Sequence, residues 1–281
     1  MILIADSGGS KTDWRWIQED GKIGQANTPG FNPYSHQPED LKQSIREFLL
    51  PHLPGTISKI YFYGAGVSSA ANTTIVKNVL KGFFTNAYIE INWDLLAAAR
   101  ALCGHEPGIA CILGTGSNSC QYDGRAIVNN IPNLGWILGD EGSGASLGKR
   151  LVIDFIRHEM PEKLATQFHA RFSLEREQIL AQVYQGERPS TFLGGFAKFI
   201  FQHIKEPYCY QLVYSGFEEF YKKNVLQYPG HESMKVHFTG SVAFYFSGLL
   251  RQVASDMGIT VKNILESPIA GLTLYHQQDL D

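Results

Sequence analysis

A short apolar run, a glycine turn and a second strand occur together twice in this chain, and that repeated unit constrains the fold more than any other feature. Ile2 to Asp6 is apolar up to its last residue, Ser7-Gly8-Gly9-Ser10 turns, and Thr12 to Gln18 alternates with Trp14 and Trp16 on one face. Asp20-Gly21 then turns the chain again. Farther along, Ile109 to Leu113, Gly114-Thr115-Gly116-Ser117, Asn118 to Tyr122 and Asp123-Gly124 repeat the arrangement. The pair reads as an internal duplication. Glycine supplies 28 of 281 residues, about 10% against about 7% in average usage, and its placement beside strands matters more than its number. Such turns let backbone N–H groups approach a phosphate that side chains would block. A lone glycine turn is most often only a hairpin; two on similar halves suit a polyphosphate held between them.

Two phosphate-binding classes are excluded by the residues just after the glycines. A Walker A loop needs Gly-x4-Gly-Lys-Ser/Thr opening a helix, whereas Lys11-Thr12 runs into an alternating strand. A dinucleotide fingerprint needs a third glycine where Gly114-Thr115-Gly116 is followed by Ser119, and a strand pattern comes next again. Between the copies, helix and strand patterns alternate: a helix from Pro38 with Leu41, Ile45, Phe48 and Leu49 on one face, then Ser58–Tyr63 as a strand, Asn72–Phe84 as a helix, Ala87–Ile91 as a strand and Asp94–Leu102 as a helix. The second half is more helical, with helices expected over 143–158, 161–169, 174–185, 191–204 and 210–226. Lys235–Thr239 reads as a strand, Ser241–Ser255 as a helix, and an apolar segment comes after Pro268. The predicted class is α/β, with one domain over 1–107 and a second over 108–281 that carries a helical insertion, its last helix, about 268–281, expected back on the first domain. No low-complexity linker intervenes, so the junction near Pro107-Gly108 reads as a tight hinge.

Charge and cysteine usage narrow the partners. Twenty-four basic against 27 acidic residues leave a formal charge of -3 with no Lys/Arg block, so no nucleic-acid footprint is present. Cys103, Cys111, Cys120 and Cys209 match neither zinc spacings nor a secreted disulfide scaffold, and they read as core thiols in a reducing cytoplasm. No basic n-region and no run of 18 apolar residues is found, so neither a signal peptide nor a membrane partner is expected.

Four ordered motifs carry a family resemblance: Asp6-Ser-Gly-Gly-Ser-Lys-Thr12, Leu113-Gly-Thr-Gly-Ser-Asn118, Gly135-Trp-Ile-Leu-Gly-Asp-Glu-Gly-Ser-Gly144 and Phe238-Thr-Gly-Ser-Val242. Spread between residue 2 and about residue 275, they resemble the BadF/BadG/BcrA/BcrD ATPase family of the sugar kinase, Hsp70 and actin superfamily, in its N-acetylglucosamine kinase branch. The resemblance implies two ribonuclease H-like, actin-like ATPase domains closing on a central cleft, ATP and Mg²⁺ as cofactors, and an amino sugar as the small-molecule partner. By it, Asp6, Gly8, Gly9, Ser10, Lys11 and Thr12 belong to the first phosphate loop, Gly114, Thr115, Gly116 and Ser117 to the second, and Thr239, Gly240 and Ser241 to the adenosine loop. Ser7 stands where the family commonly has glycine. Oligomeric state is open, dimers being common among relatives.

Individual polar residues have two readings each. Asp6, at the end of a strand beside a phosphate turn, is placed to hold Mg²⁺ through water, or it initiates the hairpin as an Asx turn. Asp94 opens a helix directly after a strand, a position for a base on the acceptor hydroxyl or for an ordinary N-cap; the resemblance implies the base, with Trp93 where the family usually has Asn. By the same resemblance Asn32, Asn118, Gly135, Trp136 and Asp140 line the hexose site. Their plainer roles are a turn before Pro33 for Asn32, a core position for Trp136 and helix N–H satisfaction for Asp140, which could also meet magnesium-bound water. The implied reaction is phosphorylation of N-acetylglucosamine to its 6-phosphate. Glucosamine as acceptor, an ATPase that activates a radical dehydratase through an iron–sulfur cluster, and a non-catalytic sugar sensor are the competing readings.

Overall fold

The computed structural model describes residues 1–9 and 11–278, which separate into two compact units. The first comprises 1–106, Gly124–Ala126 and the chain from Ser267 onward; the second comprises Pro107–Asp123 and Ile127–Glu266.

In the first unit, β1 (Ile2–Ser7), β2 (Lys11–Ile17) and β3 (Ile23–Pro29) form an antiparallel meander, α1 spans Pro38–Ser44, and β4 (Lys59–Gly64), α2 (Ala70–Phe83), β5 (Tyr88–Trp93) and α3 (Asp94–Cys103) come next. The sheet order is β3-β2-β1-β4-β5, with β4 and β5 parallel to β1. Alternation along the strands divides the apolar residues between two faces. Leu3, Ala5, Trp14, Trp16, Ile60 and Phe62 meet α1 and α2 residues such as Leu41, Val76 and Leu80. Ile2, Ile4, Ile17, Tyr61 and Tyr63 form the opposite core. The helix expected to run from Pro38 to Leu49 instead changes pitch to a π-type turn over Ile45–Leu49.

The second unit begins with β6 (Gly108–Leu113), β7 (Ser117–Tyr122) and β8 (Ile127–Asn129), then α4 (Gly135–Leu138) and α5 (Gly144–Ile156). Next come α6 (Glu162–Phe172), α7 (Arg176–Tyr184), α8 (Pro189–Gly194), α9 (Ala197–Gln202) and α10 (Pro207–Lys223). It closes with β9 (Val236–Thr239), α11 (Ser241–Tyr245), α12 (Ser247–Asp256) and β10 (Val261–Leu265). The order β10-β9-β6-β7-β8, with β9 and β10 parallel to β6, repeats the first sheet strand for strand. These are the paired mixed sheets of a two-domain ribonuclease H-like fold. Its core gathers Phe168, Phe199, Phe217, Phe220 and Phe238 among many others.

Two helices expected to be continuous are broken. Residues 191–204 divide into α8 and α9 at Gly195-Phe196, where adjacent glycines Gly194 and Gly195 lower helix propensity. Ser241–Ser255 divides at Phe246, whose ring is buried against Phe217 and whose backbone leaves helical geometry at ψ 20°. Strand β10 was not expected from the sequence, since its half-buried residues show no clean alternation. The chain ends its described course in the first unit as α13 (Ile269–Gln277), whose Ile269 and Leu272 cover the core face of β1 and β4 together with Ala97 of α3. Gly271 permits that packing, because a Cβ there would meet the Ala101 carbonyl. Among the described residues no helix is long and apolar enough to cross a membrane.

Candidate functional site

Strand register sets the chemistry of the first unit. Asp6 of β1 pairs with Asp13 of β2 and Tyr63 of β4, and Tyr63 pairs with Asn92 of β5, so a polar row crosses the sheet on one face near the ends of the parallel strands. The glycine turn between β1 and β2 is closed by the Gly8 N–H donating to the Lys11 carbonyl at 3.0 Å. Gly9 is exposed, and a Cβ on it would meet nothing within 4 Å. Ser10 lies outside the described residues. Ser7 turns inward: its hydroxyl is 2.8 Å from Thr12 Oγ1 and donates to the Phe31 carbonyl at 3.2 Å. A serine in this glycine position therefore leaves the open side of the turn clear. Thr12 is buried beneath the turn, so its hydroxyl supports the hairpin and does not line its outer surface. Lys11 is exposed and reaches Asp13 at 3.0 Å. Gly30 braces the turn from below, where a Cβ would collide with the Gly8 carbonyl.

Two carboxyl groups of this unit have raised pKa values. Burial first, then the charges of Asp13 and Asp94, push the Asp6 carboxyl up from 3.8 to about 7. The Ser267 hydroxyl, donating to Asp6 Oδ2 at 3.3 Å, and Lys11 act the other way. Among the described residues Asp6 makes no Asx bond; its hydrogen-bond partner is Ser267, which the sequence did not suggest. Burial likewise raises the Asp94 carboxyl to about 6, against the N–H groups of Leu95 and Asp94 itself. Asp94 is not the N-cap of α3: Trp93 holds that place with extended backbone, and Asp94 is the first helical residue. Among the described residues no three His, Cys, Asp or Glu side chains group closely enough to ligate a metal directly. A carboxylate at the end of β1, its pKa raised in part by the charges of Asp13 and Asp94, nevertheless fits a hydrated divalent cation, which would lower that pKa.

The second glycine turn sits on the start of α5. The carbonyls of Gly114 and Thr115 accept from the N–H groups of Gly144 at 2.8 Å and Ala145 at 3.0 Å, while Ser143 caps α5 through its hydroxyl to the Ser146 N–H. Gly114 donates to the Gly116 carbonyl at 3.0 Å. The N–H groups of Gly8 and Gly114 are thus spent on closing their own hairpins, because a tight turn consumes one cross-turn bond. Thr115 and Gly116 make no such described bond. Ser117 donates its N–H to Asp140 Oδ1 at 3.0 Å. Asp140 therefore braces the turn and does not satisfy the N–H groups of α5. It holds left-handed backbone at φ 58°, is buried, and its carboxyl is raised chiefly by that burial.

Asp140 opens onto a cavity of about 510 Å³ shared with Ser117, Asn118, Asn133, Gly139 and Glu141. Asn118 Oδ1 accepts from the Ser119 N–H and from Asn130. Gly135, at φ 70°, starts α4, and Trp136 is half-buried against the core of its unit, its carbonyl accepting from Lys149 Nζ at 3.0 Å. In the first unit Asn32 Oδ1 accepts the Tyr34 N–H at 3.0 Å, the turn reading, and is half-buried. Gly240, at φ 112°, brings its turn so close to β6 that a Cβ would strike the Leu113 carbonyl; Ser241 beside it is exposed. Asn133 was missed by sequence reasoning, although Asn two residues before Gly135 is an Asx-turn signal, and its Oδ1 does accept the Gly135 N–H at 2.6 Å.

No protein-family model and no curated protein matches the chain. Among solved structures, a provisionally named N-acetylglucosamine kinase from Porphyromonas gingivalis is 41% identical, covers 99% of each chain and superposes with a TM-score of 0.93. A second provisionally named N-acetylglucosamine kinase, from Chromobacterium violaceum, is 17% identical over 98% of each chain with a TM-score of 0.72. A provisionally named N-acetylmannosamine kinase from Listeria monocytogenes is 13% identical, covers 100% of this chain and 99% of its own, and has a TM-score of 0.53. The last two show the fold alone.

Proposed function

This chain belongs to the sugar-kinase family that includes the Porphyromonas gingivalis protein, and on that premise we propose that it phosphorylates an amino sugar, N-acetylglucosamine at its 6-hydroxyl, with ATP and Mg²⁺. The BadF/BadG/BcrA/BcrD assignment, the motif roles and a cytoplasmic setting belong to the same reading. The observation that carries it is Asp94, a carboxyl raised to about 6 at the carboxyl end of a strand, where a general base for neutral pH is well matched. ATP supplies the phosphoryl group, and Mg²⁺ neutralises charge on the phosphates. Asp94 accepts the proton of the attacking hydroxyl. Asp6, at the end of β1, would hold a hydrated Mg²⁺. In the first unit the Gly9 N–H would bind a phosphate oxygen and Asn32 a sugar hydroxyl; in the second the N–H groups of Thr115 and Gly116 would bind phosphate oxygens, Gly240 and Ser241 would border the adenosine, and Asn118 and Asp140 would hold sugar hydroxyls beside Gly135 and Trp136.

The radical-dehydratase activator reading needs cysteines at a surface that bridges two subunits. All four cysteines are buried, which favours the kinase. An ADP-release assay over a panel of hexoses and amino sugars tests the proposal. The expected result is ADP release dependent on N-acetylglucosamine; release that no sugar stimulates would overturn it, and a preference for glucosamine would move the acceptor.

A further inference from the structure

Asn133 makes three bonds with one amide. Its Nδ2 donates to the Ser117 carbonyl and to Asp140 Oδ1 at 3.3 Å, while its Oδ1 accepts the Gly135 N–H at 2.6 Å. Ser117 is gripped on both sides, since its own N–H donates to that same Asp140 oxygen. Oδ1 of Asp140 is therefore doubly occupied, whereas Oδ2 makes no described hydrogen bond, lies 3.0 Å from where a Gly116 Cβ would stand, and belongs to a side chain lining the cavity. Asp140 also holds left-handed backbone at φ 58°, a conformation aspartate tolerates.

We propose that Asn133 is the positioning residue of the sugar pocket: its amide locks one oxygen of Asp140 to the second glycine turn and so presents the other to an acceptor hydroxyl. The role in catalysis rests on the sugar-kinase reading; the clamp itself does not. Asn133 also lines the cavity, but its described amide bonds go to Ser117, Asp140 and Gly135, so the proposed role runs through Asp140, and a double variant with Asp140→Asn separates it from direct contact. A plain loop-forming role would depend on the Gly135 bond alone.

Asn133→Asp separates these roles in the full-length chain, because it keeps an acceptor for Gly135 while removing both donors and setting a second carboxylate beside Asp140. Two readouts are taken: hydrogen exchange of the Ser117 amide, and kcat/KM for N-acetylglucosamine. Positioning predicts Ser117 exchange at least about tenfold faster with strand β9 unchanged, and a loss of roughly 10–100-fold in kcat/KM for sugar. In an Asp140→Asn background, removing Asn133 should then cost little more, since both act through one group. Wild-type exchange and kinetics in Asn133→Asp, or losses that simply add, would overturn the proposal. Should Asn133→Asp fail to fold, Asn133→Ala is measured the same way. A wild-type protein that phosphorylates no amino sugar sinks the functional reading alone, and Ser117 exchange still decides the clamp.

Discussion

Asp94→Asn should slow the enzyme and stabilise the fold at once. In the folded chain burial raises the Asp94 carboxyl from 3.8 to about 6, so keeping it charged at neutral pH costs about 3 kcal/mol, at ~1.4 kcal/mol per pH unit. Asparagine removes that cost. Trp93 is the N-cap of α3, and the asparagine Oδ1 keeps an acceptor for the Leu95 and Asp94 N–H groups, so the loss is the charge-assisted part of those bonds and the placement of a negative charge at a helix start, about 0.3–1 kcal/mol. The balance is a gain on the order of 2 kcal/mol. Turnover, by contrast, loses its proton acceptor and should fall roughly 10²–10⁴-fold. ADP release at saturating sugar and ATP measures the first effect, urea unfolding at pH 7.5 the second, and calorimetry should find ATP affinity little changed. Near-normal turnover in a folded Asp94→Asn protein would refute the base; a destabilised variant would refute the electrostatic argument.

Gly9→Ala has room for its methyl group within the protein, so weaker ATP binding at unchanged unfolding free energy would be due to blocked phosphate approach, and unaltered affinity would remove Gly9 from the site. Gly116 is a poorer probe, since its Cβ would press on Asp140 as well. With Asp6 near 7 and Asp94 near 6 when folded, against 3.8 when unfolded, the folded chain binds more protons between about pH 4 and 7. Their contribution to stability is thus largest at low pH, declines as pH rises through that window and levels off above it; unfolding of an Asp6→Asn, Asp94→Asn double variant should lack this slope, and an unchanged slope would count against the assignment. Gly240→Ala combines left-handed backbone with a collision at Leu113 and should cost about 1–3 kcal/mol, read from the urea midpoint.

Glycine turns following apolar runs announced the duplicated sheet, and Trp14 and Trp16 at alternate positions announced which face is buried, because these signals are written within a few adjacent residues. Asp6 and Asp94 were legible for the same reason: each ends or follows a strand. Local sequence does not carry the identity of a partner far along the chain. The bond from Ser267 to Asp6 spans 261 residues, and β10 becomes a strand through pairing with β9. The break at Phe246 depends on a buried ring meeting Phe217. Asp94 moved from cap to first helical residue because β5 runs on through Trp93. Asn133 went unread in the sequence, and folding set Ser117, Gly135 and Asp140 around its one amide. Periodicity and turn chemistry are properties of neighbours in sequence, whereas desolvation, carboxylate pairing and shared hydrogen bonds arise only when distant segments exclude water together.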